Sequence, residues 1–275
     1  MVRNYYYLVA GCADLVLGES RGAPDIRNAF NELLEQVHPD DARLLRFIRY
    51  PIDNANVCAL LQEEEYPFDE RGNYSRDELQ DALRSGDELP QYLQRFLEAR
   101  REGVDLFPGL QARDQLAWLF YEEAFAHPNR FIREWFGFEC DLRNLLAAAT
   151  IRRFHPTTPE KGLLLLNDTA QTLSRSTAPD FSMGAQFSWV ERVLALQGDN
   201  PAETEQGIDR LRWEMLDELT IFSYFQIESL LAFCIRLQMV DRWMRLDPRE
   251  GEEKLRMLVD GLLEGFSASS GAVAA

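Results

Sequence analysis

The sequence predicts an all-α fold, and three observations carry that prediction. Apolar residues recur at helical spacing in segment after segment, as when Leu142, Leu145, Leu146 and Ala149 fall at i, i+3, i+4 and i+7. Prolines and capping patterns stand where these segments begin. Strand-type alternation is nearly absent, the one exception being YYYLVA at residues 5–10, where the sequence leaves strand and helix both open.

In chain order, a helix is predicted over 25–37 behind Pro24, and another over 40–63 behind Pro39, with a break near Pro51. The segment 75–101 opens on Ser75 and Glu78, the spacing of a capping box, and breaks near Gly86. Helices follow over 110–126, 129–154, 159–174 behind Pro159, 187–197, 202–246 behind Pro201, and 248–266 behind the Asp247–Pro248 cap. The connectors EEEYPFDERGNYS (63–75) and STAPDFSMGAQ (176–186), and the tail SASSGAVAA (267–275), replace periodic apolar residues with turn formers and small residues. Residues 221–243 are apolar almost all round, which suits a core or an interface, the core being preferred.

Composition narrows the function. The chain has 275 residues, enough for one large domain or several small ones, and carries a net charge of −17. Such a field repels nucleic acid and anionic lipid and favours basic protein partners. Cys12, Cys58, Cys140 and Cys234 stand singly without a C-x-x-C pair, so they read as buried thiols in a reducing cytoplasm. No apolar run is long enough for a membrane span. The LVAGC box before Cys12 lacks the charged and apolar regions of a signal peptide, so lipidation is not expected. The protein is expected to be cytoplasmic.

Little in the chain suggests catalysis. Phosphate-loop, dinucleotide, nucleophile-elbow and zinc-protease motifs are missing. His38, His127 and His155 each precede proline and read as residues at helix C-termini. Acidic pairs such as Asp40–Asp41 read as solvated faces. No cofactor and no metal is expected, and the protein is not expected to be an enzyme.

The most informative pattern is an internal echo. HPDDARLLRFIRYPIDNANVCALL from His38 and HPNRFIREWFGFECDLRNLLAAA from His127 both run from His-Pro through an aromatic helix into D-x-x-N-x-x-A. Asp53, Asn56 and Ala59 match Asp141, Asn144 and Ala147, and a fainter copy places Gln226, Ser229 and Ala232 in the same order. The pattern predicts three related helical modules, 1–105, 106–195 and 196–266, packed in an arc or funnel, with 267–275 as a tail. Taken alone, an Asp such as Asp141 beside an apolar stripe reads most simply as a helix cap. Repeated with an Asn three residues on, the pair lies on one helix face and serves either to close the backbone of a neighbouring loop or to face a partner. The candidate residues are therefore Asp53, Asn56, Asp141, Arg143, Asn144, Gln226 and Ser229.

The D-x-x-N-x-x-A-L-L arrangement at 53–61 and its return at 141–148 resemble the C-type central-stalk subunit of the archaeal and bacterial A/V-type ATPases, which is the d-type subunit of the eukaryotic V-ATPase. NYYYLVAG with Asp14–Leu15, and LDELTIFSYFQIESLLAFCIRLQMVDRW, are more specifically similar to an uncharacterised bacterial family encoded among V-type ATPase subunits. The resemblance implies a socket of three helical modules, peripheral on the inner face of the bacterial membrane. Such a socket joins the rotor shaft to the proteolipid ring and has no active site of its own. The third copy lacks Asp and Asn, and 63–75 reads as an insertion, so equivalence of the inner surface is not implied. The alternative is an unrelated acidic helical-repeat adaptor that grips basic protein segments.

Overall fold

A computed structural model describes residues 3–17, 24–62, 68–86, 89–154, 163–196 and 200–245. Among these residues the chain forms twelve helices and no strand, so the all-α prediction holds. The expected helix at 248–266, the tail, the start of the 159–174 segment and His155 lie outside the described residues.

The choice left open at residues 5–10 falls to a short helix, α1 (Tyr6–Gly11). The Tyr5 N–H is bonded to the Phe225 carbonyl, with no neighbouring strand to pair the rest of the segment, so local i→i+4 bonding satisfies the backbone. α2 (Ile26–Gln36) starts on Asp25, whose carboxylate accepts from the Asn28 N–H. α3 (Pro39–Phe47) has proline in its first turn, and α4 (Tyr50–Gln62) follows after two residues. The capping box forms as predicted: Ser75 and Glu78 bond each other's backbone at the head of α5 (Arg76–Ser85), and Gly86 ends that helix with φ +82°.

α6 (Gln91–Arg101), α7 (Ala112–Ala126) and α8 (Arg130–Phe154) make the central stack, α7 lying between α6 and α8 and also against α4. The rings of Phe47, Tyr92, Phe120 and Phe136 meet there, with Phe120 edge-on to Phe136 at 4.9 Å. α9 (Asp168–Arg175) and α10 (Trp189–Ala195) pack on α8. The predicted helix over 202–246 is two helices, α11 (Pro201–Thr220) and α12 (Ile227–Arg245), parted by turns at 221–226.

α11 returns to α8 and α10, while α12 lies on α1, α2 and α3. One continuous apolar cluster runs through all of these contacts. The segments expected as modules therefore each touch the other two, because the last helix closes back on the first. Burying one helix face on two neighbours in this way hides more apolar surface than an open row of units.

Candidate interaction site

The repeated Asp/Asn pairs have the same job twice. In α4 the Asn56 side chain donates to the Asp69 carbonyl and accepts from the Asp69 N–H, both at 2.9 Å. In α8 the Asn144 side chain donates to the Leu164 carbonyl and accepts from the Leu164 N–H, again both at 2.9 Å. An amide that both gives and takes at one residue mimics a rung of sheet and holds the following loop against its helix. One turn earlier, Asp53 accepts from the Asn73 N–H at 2.7 Å and from its side-chain amide at 2.6 Å, and Asp141 accepts from the Asn167 side chain at 2.8 Å. Both clamps deliver their loop to a helix start, at Ser75 for α5 and Asn167 for α9.

These four side chains are buried. They close local hydrogen bonds, the first of the two roles expected of the pair, so Asp53, Asn56, Asp141 and Asn144 are each spent on their own chain. The cap reading of Asp141 is corrected, because α8 runs unbroken through it. Burial pushes the Asp53 carboxyl up to about 6 against the pull of Asn73, and it raises Asp141 for the same reason. Gly72 is needed where it stands, since a Cβ would collide with the Asp53 carboxylate.

Both echoed His-Pro pairs also match atom for atom. His38 Nδ1 accepts from the Asp40 N–H at 3.2 Å, and His127 Nδ1 accepts from the Asn129 N–H at 3.1 Å. His38 thus caps the start of α3, in place of the expected position at the end of the preceding helix, because the proline holds the residue before it extended; His127 stands at the C-terminus of α7 as expected, and its ring holds the Asn129 N–H on the approach to α8. The fainter third copy diverges. Gln226 and Ser229 sit at the start of α12, where the Ser229 hydroxyl donates to the Ser223 carbonyl, and neither closes a distant loop. Arg143 is paired with Asp114 of α7 at 2.6 Å.

Where the three segments meet, charge crosses between them. Arg71, in the loop clamped by Asn56, reaches Asp241 of α12 at 3.1 Å, and Arg212 of α11 holds Glu139 of α8 at 2.7 Å. Asp209, fully buried, accepts from Arg212, Arg242 and the Trp243 indole. Burial disfavours the Arg212 charge, but Glu139 and Asp209 more than offset this and raise its pKa. A cleft of about 260 Å³ opens at this junction, walled by Ile52, Tyr121, Trp135 and Met239.

Among the described residues the exposed surface has one concentration of apolar groups. Of the ten exposed large hydrophobic residues among those described, six lie on α1 and the 221–226 turn: Tyr6, Tyr7, Ile221, Phe222, Tyr224 and Phe225. Phe222 is 86% and Tyr7 95% exposed, so both stand in solvent. The two segments touch: the Tyr5 N–H donates to the Phe225 carbonyl, and the Tyr6 and Phe225 rings are 4.7 Å apart. Scattered single apolar residues need no explanation, but a contiguous aromatic group marks an interaction surface. Exposed Asp217 and Glu218 at the end of α11 border it in sequence. The expectation that 221–243 enters the core holds from Ile227 onward and fails for 221–225. The available signal was the bunching of β-branched and aromatic residues in TIFSYF, poor helix formers in a row.

Among the described residues no cluster of His, Cys, Asp or Glu is arranged to hold a metal ion, and no helix is long and apolar enough to cross a membrane. A family model described as "Protein of unknown function (DUF2764)" matches residues 2–266. No curated protein and no solved structure matches the chain.

Proposed function

We propose that this chain, which belongs to the DUF2764 family, is a non-catalytic coupling subunit of a bacterial V-type ATPase, linking the rotor shaft to the membrane proteolipid ring. The observation that carries the reading is the aromatic surface of Tyr6, Tyr7, Ile221, Phe222, Tyr224 and Phe225. Its apolar side chains offer the desolvated centre of a docking site, and its acidic border favours a basic partner. The net charge of −17 acts in the same direction at longer range, steering basic shaft or ring-loop segments toward the protein. Two further features support the reading. The D-x-x-N helices resemble those of the C-type central-stalk family, and the Asp and Asn of each repeated pair are used to fix the scaffold instead of to perform chemistry.

The test is co-purification from cells with the tagged chain, alongside Phe222→Glu and Tyr7→Glu variants. Shaft and proteolipid subunits are expected with the natural sequence and should be lost from both variants, while melting temperatures stay within about a degree because both side chains already stand in solvent. Recovery of unrelated basic proteins in place of ATPase subunits would overturn the rotary reading and leave the acidic adaptor.

A further inference from the structure

A second concave feature lies apart from the aromatic surface. Between α2, the α3–α4 corner and the clamped loop is an open cleft of about 810 Å³, within the range of small-molecule sites. In a chain this acidic its wall is unusual in carrying three arginines, Arg27, Arg46 and Arg49. Arg27 is paired with Glu70. Arg46 is exposed, and Arg49 is only 6% exposed, yet among the described residues neither has a carboxylate within ion-pair distance. Arg49 donates its Nε–H to the Arg71 carbonyl at 2.5 Å and stacks on Phe30 at 4.2 Å, and its two terminal nitrogens have no hydrogen-bond partner among the described residues.

The acids nearby are committed elsewhere. Glu78 closes the α5 capping box, Asp53 is held by Asn73, and Asp69 is paired with Arg71. Burial disfavours the Arg49 charge and the nearby Asp53 and Asp69 offset this only in part, so an anion that enters the cleft is stabilised there. A second orphan sits on the same wall. The Asn73 side-chain amide gives its N–H groups to the Arg46 carbonyl at 3.0 Å and to Asp53, which fixes its orientation and leaves its Oδ1 buried with no donor among the described residues. That oxygen calls for an N–H or O–H from a ligand, which a bare anion does not supply.

We propose that this cleft binds a phosphorylated small molecule bearing a hydroxyl or amine, its phosphate held by Arg46 and Arg49 and its donor group by Asn73 Oδ1. Arginine forks suit the spread oxygens of a phosphate better than point charges do. Tyr50 and Tyr74 line the remaining wall and give a sugar or base an apolar face to lie on. The proposal is independent of the docking surface, since no residue is shared.

Calorimetric titration of the full chain with inorganic phosphate, pyrophosphate, ribose 5-phosphate and ADP tests it. Ribose 5-phosphate or ADP is expected to bind, more tightly than inorganic phosphate, and to raise the melting temperature. Arg46→Ala removes an exposed side chain, so the unliganded protein should melt as before while binding weakens about tenfold or more, the cost of one charge-assisted hydrogen bond. Asn73→Ala should narrow the gap between ribose 5-phosphate and phosphate. Binding that is unchanged in Arg46→Ala would place the ligand elsewhere, and failure of all four probes to bind would overturn the site. Inorganic phosphate binding as tightly as both hydroxyl-bearing probes would overturn the role of Asn73.

Discussion

Asn144→Ala removes the whole of the second clamp in one step. Asn144 and Leu164 are both fully buried, and their two hydrogen bonds, each 2.9 Å, have no water to replace them. Truncation strands the Leu164 N–H and carbonyl, and each stranded backbone group costs about 1–3 kcal/mol, or roughly 2–6 kcal/mol together. Against a total stability of about 5–15 kcal/mol that is a large fraction. Equilibrium urea unfolding should show the midpoint falling with the slope unchanged, since the surface exposed on unfolding is nearly the same. Asn144→Asp should not rescue the protein: it restores an acceptor for the Leu164 N–H but turns a carboxylate oxygen toward the Leu164 carbonyl. A loss under about 0.5 kcal/mol, the level of a neutral surface change, would refute the view that the clamp holds the loop.

Four further outcomes are expected. Asp53 is held at about 6 by burial, above its unfolded value, so folding favours its protonated form; it contributes stability at low pH that is lost as pH rises through about 6. That contribution is roughly 3 kcal/mol at most, and pH-dependent unfolding of Asp53→Asn should lack this decline. Gly72→Ala should cost about 1–3 kcal/mol in chemical denaturation, because the new Cβ drives Asp53 out of its clamp. Arg152 donates to the Ser176, Ala178 and Pro179 carbonyls and stacks at 3.5 Å on Phe181, which with Ser182 holds a positive φ; Arg152→Ala should speed limited proteolysis within 176–183. In a double-mutant cycle, Asn56→Ala and Arg71→Ala should couple by more than about 0.5 kcal/mol because both act on one loop, whereas Asn144→Ala and Arg71→Ala should add.

Much of this architecture was legible because helices write themselves locally. The Ser75–Glu78 box, Pro39 and Pro201 marked helix starts, since the groups that satisfy a first turn lie within four residues of it. The 221–226 break was not legible. Apolar residues continue through it, and only the tertiary position of α12 against α1, α2 and α3 decides where the chain must turn. The YYYLVA segment was ambiguous for the opposite reason: aromatic residues favour strands only where a partner strand exists. The Asp/Asn echo disclosed that a face was shared, but not what it faced. Asn56 finds its loop 13 residues on and Asn144 finds its own 20 residues on, so no fixed spacing reveals the contact.

The clamps also connect scaffold to surface. In the first copy, holding Asp69 against α4 places Arg71 two residues later, where it crosses to Asp241 of α12 and ties the start of the chain to its end. The same loop continues into Gly72 and Asn73, which wall the arginine cleft. In the second copy the loop carries no such arginine, and the crossing falls instead to Glu139 and Arg212, contributed by helices. Two loops held by the same pair of asparagine hydrogen bonds have thus taken on unequal duties. The first, supplying both an inter-segment bridge and a cleft wall, has less freedom to change than the second. That asymmetry is what separates a site from a scaffold here: the Asp/Asn pair alone occurs in both copies, whereas Arg46, Arg49 and Asn73 come together in one.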